Sequence, residues 1–320
     1  MRIRGAIALA IFSLLSVPAF ADYPERPIRL IVPQAAGSNT DVYARLLAAE
    51  MAKTLGQQLI VENRPGGAFV IGLDAIAKSQ PDGYTVGVGL IGGMALTPHM
   101  VAKLPYSIEK DFVPIGLMTR GHMMLAVSPN LPVKSVKELI DYAKKNPGKL
   151  SMASSATGSP GHLCGELFKT MTGTQITHVP YRGGAPAIND LIAGRVDIMF
   201  EGLGSLSPFA KDGRVRAIAV SGPQRSPAFP DVPTVAEAGV PGFEMTVWLG
   251  IVGPANLPRP MVEKLNRSIN DALKSQLMVE RFKQIGEEPW PGSPENYSNV
   301  IKTDFAKWKG VIEGAGIKLQ

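Results

Sequence analysis

Short apolar runs alternate with longer stretches of helical periodicity along most of the chain, and this alternation most limits the fold. Turn signals such as Pro65-Gly66-Gly67 and Pro81-Asp82-Gly83 separate them. Strands that alternate with helices form largely parallel sheets covered by helices, so the sequence predicts an α/β fold. The predicted strands are 28–32, 58–62, 84–88, 123–127, 149–153, 176–179, 196–200, 215–220 and 247–252. The predicted helices are 40–55, 71–78, 136–145, 161–171, 185–193, 260–274 and 294–312.

Two of the apolar runs, Met123–Val127 and Val247–Val252, are bounded by Gly or Pro. We interpret both as crossings between two domains, which suits the length of the chain. One domain is then built from both ends of the chain, residues 22–122 plus 247–320. The other is inserted between the crossings as residues 123–246.

The first 21 residues have the pattern of a secretory signal peptide. Arg2 and Arg4 precede a short apolar run from Ala6 to Val17, and Ala19-Phe20-Ala21 fits the small-residue cleavage rule. The apolar run is short for a membrane span. We therefore expect residues 1–21 to be removed and the mature protein to be periplasmic.

Composition excludes several classes of function. Removing Arg2 and Arg4 with the leader lowers the formal net charge from +6 to +4, and the sequence contains no cluster of basic residues interleaved with aromatics, so no nucleic-acid partner is predicted. The single Cys164 cannot form an intramolecular disulfide and falls within an apolar helical pattern, so a buried thiol is expected. No spacing of His, Cys and carboxylates resembles a metal site, and no cofactor is predicted.

The segment 33–41, with the sequence PQAAGSNTD, is the first candidate binding site. It follows the apolar run 28–32 and opens an amphipathic stretch with apolar residues at Val42, Leu46, Leu47 and Met51. A strand, a turn of small residues and a helix start direct free backbone N–H groups at one place, where the helix dipole is positive. The pattern predicts an anion site without catalytic groups.

The segment 151–161, with the sequence SMASSATGSPG, repeats this arrangement after another strand. Ser159 is a favourable helix N-cap and Pro160 suits the first helical position. Ser154, Ser155 and Thr157 add hydroxyl donors beside the free backbone amides. Taken alone this is an ordinary helix start, but two such starts in the two halves of the chain can hold an acid from two sides.

Three further segments are candidates for the lining of a site. Gly87–Gly92 matches the pattern G-x-G-x-x-G, but Pro98 and Pro105 follow and exclude a long crossover helix, so we reject a dinucleotide site and interpret the glycines as a wall that a ligand approaches closely. Arg182 fits either a bidentate contact to a ligand carboxylate or a structural ion pair. Glu201, after an apolar strand, can accept from a ligand amine or hydroxyl.

A serine hydrolase is the alternative from another functional class. It would use Ser159 or Ser205 with His162, and His178 is a further candidate base. The nucleophile motif G-x-S-x-G is absent, since Gly202-Leu203-Gly204-Ser205-Leu206 does not match it.

The combined motifs resemble the periplasmic solute receptors of tripartite tricarboxylate transporters, the Bug family, over essentially the whole mature chain. The matching segments include YPERPIRLIVP at 23–33, VENRPG at 61–66, PDGY at 81–84, GELF at 165–168, HVPYRG at 178–183, GRVD at 194–197 and PDVPT at 230–234.

This resemblance implies a two-lobed, type II periplasmic-binding-protein fold that closes on a ligand about two hinge crossings. It also implies a monomeric receptor, and not an enzyme, that delivers a di- or tricarboxylate or an aromatic acid such as terephthalate to a small and a large membrane subunit. By the family's pattern the loops at 34–41 and 154–159 bind the ligand largely through backbone amides. Gln34 and Ser38 depart from that pattern, which often has Phe and Gly there. The predicted ligand-binding residues are Gln34, Ala35, Ala36, Gly37, Ser38, Asp41, Gly92, Ser154, Ser155, Thr157, Gly158, Ser159, Tyr181, Arg182 and Glu201.

Overall fold

A computed structural model describes residues 23–319, and these residues form a mixed α/β protein. The strands are β1 Ile28–Val32, β2 Leu59–Asn63, β3 Thr85–Leu90, β4 Phe112–Val127, β5 Ser151–Ser154, β6 Thr177–Pro180, β7 Ile198–Gly202, β8 Arg216–Val220, β9 Thr246–Pro254 and β10 Glu287–Pro289. The α-helices are α1 Asn39–Leu55, α2 Val70–Ala77, α3 Val136–Lys145, α4 Pro160–Thr172, α5 Gly184–Ile192, α6 Leu203–Lys211, α7 Arg259–Leu273, α8 Gln276–Ile285 and α9 Pro294–Ala315. A π-helical turn at Gly92–Leu96 and a 3-10 turn at Thr97–His99 follow β3.

The strands join in the order β2-β1-β3-β9-β4-β7-β5-β6, with β8 and β10 pairing to β4. The β1–β2 and β1–β3 pairs are parallel, as are β5–β6 and β5–β7. By contrast, β9 runs antiparallel to both β3 and β4. The sequence therefore correctly predicts parallel α/β units, and the long antiparallel strands β4 and β9 link them.

Strand β4 takes part in two groups of strands. Its residues 112–122 pair with β9, whereas its residues 123–127 pair with β7 and β8. The chain returns just before β9, where the Met245 N–H donates to the Ser221 carbonyl and Thr246 pairs with His122. The lobe boundaries at 122/123 and 246/247 stay a prediction, and the β-strand pairing changes close to both.

Helix α1 shows how the apolar pattern forms the core. Tyr43, Leu47 and Met51 are buried at four-residue spacing against β1 and α7. Of the other apolar residues in this stretch, Val42 and Leu46 are partly buried and pack at the edge of the same core. The buried face of α1 is the one that carries Tyr43, because the Tyr43 ring lies in the core while its hydroxyl reaches Glu287.

Two helices and one strand are missing from the sequence-based prediction. Helix α6 contains Pro208 and begins with glycines, and both features are typical of a loop. Helix α8 buries Met278 and Phe282 but exposes Leu277 and Val279, so its apolar periodicity is weak. Strand β10 has three residues and exists only through pairing with β4.

Within residues 23–319 no helix has the length and apolar character needed to cross a bilayer. The predicted leader, residues 1–21, lies outside the described residues. Cys164 is fully buried, as predicted, and burial raises the pKa of its thiol well above the ordinary value.

Candidate functional site

Two turns of the same geometry precede α1 and α4. In the first, Gly37 has a φ of +81° and Ser38 caps the helix with φ −67° and ψ 158°. In the second, Gly158 has a φ of +76° and Ser159 caps the helix with φ −66° and ψ 157°. The capping hydroxyls accept the backbone N–H three residues later at 3.2 and 3.3 Å. The positive φ explains why each turn carries a glycine before its serine.

A buried carboxylate, that of Asp41, stabilises the first turn. Asp41 accepts the Gly37 N–H at 2.9 Å, the Asn63 side-chain amide at 2.8 Å and the Arg45 Nε at 3.1 Å. Burial raises the pKa of Asp41, but the hydrogen bonds from Arg45, Gly37 and Asn63 outweigh it, so the net pKa is lowered. Asp41 thus stabilises the turn through hydrogen bonds and does not line the cavity described below.

The second turn is held by a histidine at the equivalent position. His162 Nδ1 accepts the Gly158 N–H at 3.0 Å, and its Nε2 lies 3.5 Å from a Glu166 carboxylate oxygen. The His162 ring stacks on His178 with a centroid separation of 3.6 Å. His178 Nε2 lies 2.6 Å from the buried Ser154 hydroxyl. Burial, with His162 nearby, lowers the pKa of His178 to about 4, so this ring is neutral at pH 7.

Both turns line one cavity of about 410 Å³. Its wall combines residues of the two turns and helix starts with residues of β4, β9 and β10. The lining residues are Gln34, Ser38, Asn39, Thr40, Tyr43, Thr119, Gly121, His122, Met123, Ser155, Pro160, Gly161, Glu201, Gly202, Leu203, Gly204, Ser205, Val247, Leu249 and Glu287.

A third helix start faces the same cavity. Strand β7 ends at Gly202, and α6 begins at Leu203, so residues 202–205 line the wall. The Glu201 side chain accepts the Gly202 N–H through one carboxylate oxygen at 2.8 Å. Burial raises the pKa of Glu201, and that single hydrogen bond opposes the shift only in part.

A second glutamate, Glu287 in β10, also lines the cavity. It accepts the Thr119 hydroxyl at 2.9 Å and lies 3.5 Å from the Tyr43 hydroxyl. Burial raises the pKa of Glu287, and the two hydroxyls oppose the shift. Residues 23–319 provide no Arg, Lys or His within salt-bridge distance of Glu201 or Glu287.

Comparison with known proteins identifies this chain as a receptor. The family model described as "Tripartite tricarboxylate transporter family receptor" matches residues 43–317. The chain belongs to this family.

Relatives agree over nearly the full length. Protein BugT of Bordetella pertussis is 38% identical over 312 residues, which are 96% of this chain and 94% of BugT. The structure titled "R. palustris Rpa4515 with adipate" has a TM-score of 0.80 at 39% identity and covers 93% of this chain and 99% of its own. The structure of MatC from Rhodopseudomonas palustris with bound malate has a TM-score of 0.77 at 32% identity and covers 91% of this chain and 100% of its own.

The family membership confirms the predicted two-lobed, type II periplasmic-binding-protein fold. It also makes the chain a periplasmic solute-binding receptor, and the family and its structural neighbours are receptors and not enzymes.

The cavity contains only some of the residues predicted for a receptor of this family. Gln34, Ser38, Ser155 and Glu201 line it. The remaining turn residues adjoin it without lining it: Ala35, Ala36, Gly37, Thr157, Gly158 and Ser159.

Other predicted residues lie elsewhere. Gly92 is buried where an added Cβ would meet the Phe69 ring at 2.7 Å. The Tyr181 hydroxyl donates to Asp190 at 2.8 Å, and Arg182 is exposed on the surface. Leu90, Ile91 and Met94, in or just after the glycine segment 87–92, are buried core residues.

Among the described residues no hydrogen bond joins the His162 ring to the Ser159 or Ser205 hydroxyl. The Ser159 hydroxyl caps α4, and the His162 ring is bonded to the Gly158 N–H and faces Glu166. Within residues 23–319 the serine hydroxyl bonded to a histidine ring is that of Ser154, which is fully buried and donates to the Ala156 carbonyl at 3.0 Å. In the described part of the chain no group of three or more potential metal ligands occurs.

Sequence reasoning missed Tyr43, Thr119, His122, Glu287 and the α6 start. The α6 start had a usable signal, since an apolar strand followed by Gly202-Leu203-Gly204-Ser205 has the same strand, small-residue and helix order as the two predicted sites. Glu287 had no such signal in the sequence, because it reaches the cavity through the pairing of β10 with Gly121, which is distant in sequence.

Proposed function

We propose that this receptor captures a small organic acid in the cavity and delivers it to the membrane subunits of a tripartite tricarboxylate-type transporter. The observation that carries the proposal is the convergence of three helix starts, those of α1, α4 and α6, on one cavity.

The chemistry of helix starts supports a carboxylate ligand. The first backbone N–H groups of a helix have no acceptor within the helix, and they lie at the positive end of its dipole. In this cavity those positions are Asn39 and Thr40 in α1, Gly161 in α4, and 203–205 in α6. Carboxylate oxygens accept several such donors at once, and the Gln34 and Ser155 side chains add neutral donors.

The relatives support the same ligand class. One solved structure of the family is titled with adipate and another with bound malate, and both ligands are dicarboxylates. The family name supports delivery to a tripartite transporter. The leader predicted at residues 1–21 supports a periplasmic location.

In this proposal the ligand is captured between the two predicted lobes. We place residues 22–122 plus 247–320 in one lobe and 123–246 in the other, so that Ser38, Tyr43 and Glu287 approach the ligand from one lobe and Ser155, Gly161 and Glu201 from the other. A ligand that contacts both lobes favours closure about the crossings near residues 122 and 246. Small-angle scattering should show a smaller radius of gyration with saturating acid; an unchanged radius with proven binding would contradict closure.

A charge placed at the first turn tests the ligand class. Gly37 is exposed, and an added Cβ meets nothing within 4 Å, so a side chain there has space. Gly37→Asp and Gly37→Asn have the same size and the same strain at positive φ, and they differ only in charge. We expect the Asp variant to bind acids about tenfold or more weakly than the Asn variant in calorimetry.

Gly213→Asp supplies a distant control, because Gly213 also has positive φ and free space. Equal acid affinities for the Gly37→Asp and Gly37→Asn variants would contradict an anion site at this helix start. Delivery is tested separately by uptake of labelled acid in cells that lack this receptor: uptake should return with the full chain and depend on both membrane subunits. Tight binding without restored uptake would contradict delivery alone.

A further inference from the structure

We propose that the acid captured by this cavity also carries an ammonium group, so that the ligand is a small zwitterion whose cation is held by Glu201 and Glu287. This inference rests on the proposed function and narrows its ligand class.

The two glutamates give the cavity a negative wall that the protein itself does not neutralise. Glu287 receives only neutral hydroxyl donors, from Thr119 and Tyr43. Glu201 receives the backbone N–H of Gly202 on Oε1. Its Oε2 lies beside the start of α5, where an added Cβ on Gly184 would be 3.4 Å away. Within residues 23–319 this second oxygen has no hydrogen-bond donor, so it is free to accept one from a ligand.

Nearby positive groups do not compensate for this negative charge. No Lys or Arg belongs to the described residues that line the cavity. Arg182 is on the surface, and Arg120 pairs with Glu288 at 2.9 Å. His122 lines the wall, but burial lowers its pKa below the ordinary value, so its ring is uncharged at neutral pH.

The charge balance then separates ligand classes. A dicarboxylate brings two negative charges to helix starts that carry only partial positive charge, beside two glutamates without a cationic partner. An amino-carboxylate brings one carboxylate for the helix starts and one ammonium for the glutamates. Burial raises the pKa of both carboxyl groups because no positive group offsets their desolvation, and a ligand cation would supply that group.

The first experiment measures binding in two size-matched sets by calorimetry at pH 7.5. The four-carbon set is butyrate, 2-aminobutyrate, 4-aminobutyrate and succinate, and the six-carbon set is hexanoate, 2-aminohexanoate, 6-aminohexanoate and adipate. We expect one amino acid to bind at least about tenfold more tightly than both the plain acid and the dicarboxylate of its set.

The outcomes separate this inference from the proposed function. If succinate or adipate binds most tightly, or if the amino group gives no advantage in either set, the zwitterion inference is wrong and the organic-acid receptor stands. If none of these compounds binds, the zwitterion inference is wrong, and the organic-acid receptor fails only for aliphatic acids of these two sizes.

The second experiment removes one negative charge at a time. Glu287→Gln and Glu201→Gln keep the shape of the side chain and remove its charge. Each should lower the affinity for the preferred amino acid by about tenfold while raising or preserving the affinity for the matching dicarboxylate. A purely structural role would weaken both ligands alike.

Glu288→Gln is the matched control, because Glu288 is the next residue in β10, does not line this cavity, and pairs with Arg120. Its affinities for both ligands should stay unchanged. A change in the Glu288→Gln variant equal to that in Glu287→Gln would overturn the assignment. Thermal unfolding of each variant confirms that binding is compared between folded proteins.

Discussion

The turns at 35–41 and 156–162 have nearly the same backbone and are held by different chemistry. Each places Gly, then a capping Ser, and then a side chain that accepts the N–H of that glycine four residues earlier. In the first turn the acceptor is Asp41, whose pKa is lowered; in the second it is His162, stacked on His178. Glycine and serine therefore set the shape of such a turn, while the side chain four residues after the glycine is a carboxylate in one turn and an imidazole in the other.

The largest expected effect concerns the carboxylate of the first turn. Asp41→Ala leaves the Gly37 N–H, the Asn63 amide and Arg45 without their shared acceptor. We expect a loss of about 3 kcal/mol in the free energy of unfolding, together with loss of acid binding. Urea unfolding and calorimetry measure the two effects.

His162→Ala is the matched change in the second turn and should cost less, about 1–2 kcal/mol, because His162 is neutral while it accepts the Gly158 N–H. An equal or larger loss in His162→Ala than in Asp41→Ala would show that the two turns do not differ in stability because of the charge of Asp41.

The second prediction concerns pH. The pKa of His178 in the folded protein is lowered to about 4, below its unfolded value. The unfolded chain therefore binds this proton first, so the stabilisation is complete above about pH 6.5 and is lost as the pH falls toward 4. His178→Gln, which retains a donor for Ser154, should reduce the loss of stability between pH 7 and pH 4.5 by about 2 kcal/mol.

Urea unfolding of both proteins at the two pH values makes this comparison. A loss of the same size in the His178→Gln variant would contradict the assignment of acid sensitivity to the second turn. Asp41→Asn, by contrast, should leave the drop between pH 7 and pH 4.5 unchanged, because the lowered pKa of Asp41 keeps it ionised in that range.

The smallest expected effect concerns the caps, where the two turns should behave alike. Ser38 and Ser159 have the same backbone angles within a degree and bond the same relative N–H. Ser38→Ala and Ser159→Ala should each cost about 1 kcal/mol. If thermal or urea unfolding gives losses that differ by more than about 1 kcal/mol between the two variants, the turns differ in more than the Asp41 and His162 side chains.

Local order in the sequence made much of this site predictable. The segments 33–41 and 151–161 each contain the strand end, the glycine, the capping serine and the helix start within a few residues, so local rules suffice. The same local rules do not predict the direction in which a side chain points. Asp41, Tyr181 and Arg182 were predicted to bind the ligand, but Asp41 bonds to Asn63, Tyr181 bonds to Asp190 and Arg182 is exposed.

Long-range pairing accounts for what the sequence did not predict. Glu287 reaches the cavity because β10 pairs with β4, and its Thr119 partner is 168 positions away. Helix α6 was missed although a strand and small residues precede it, because Pro208 lies within it and is typical of a loop. Packing against β4, β7 and α8 holds this segment as a helix.

A crystal structure with a bound acid tests the central claim most directly. We expect a ligand carboxylate in the cavity between the turns, with its oxygens about 3 Å from backbone nitrogens of Asn39 or Thr40, Gly161, or residues 203–205. The contradictory result is an acid bound elsewhere, for example in the separate cavity of about 450 Å³ lined by Met94, Phe112 and Phe305, with no ligand at the helix starts.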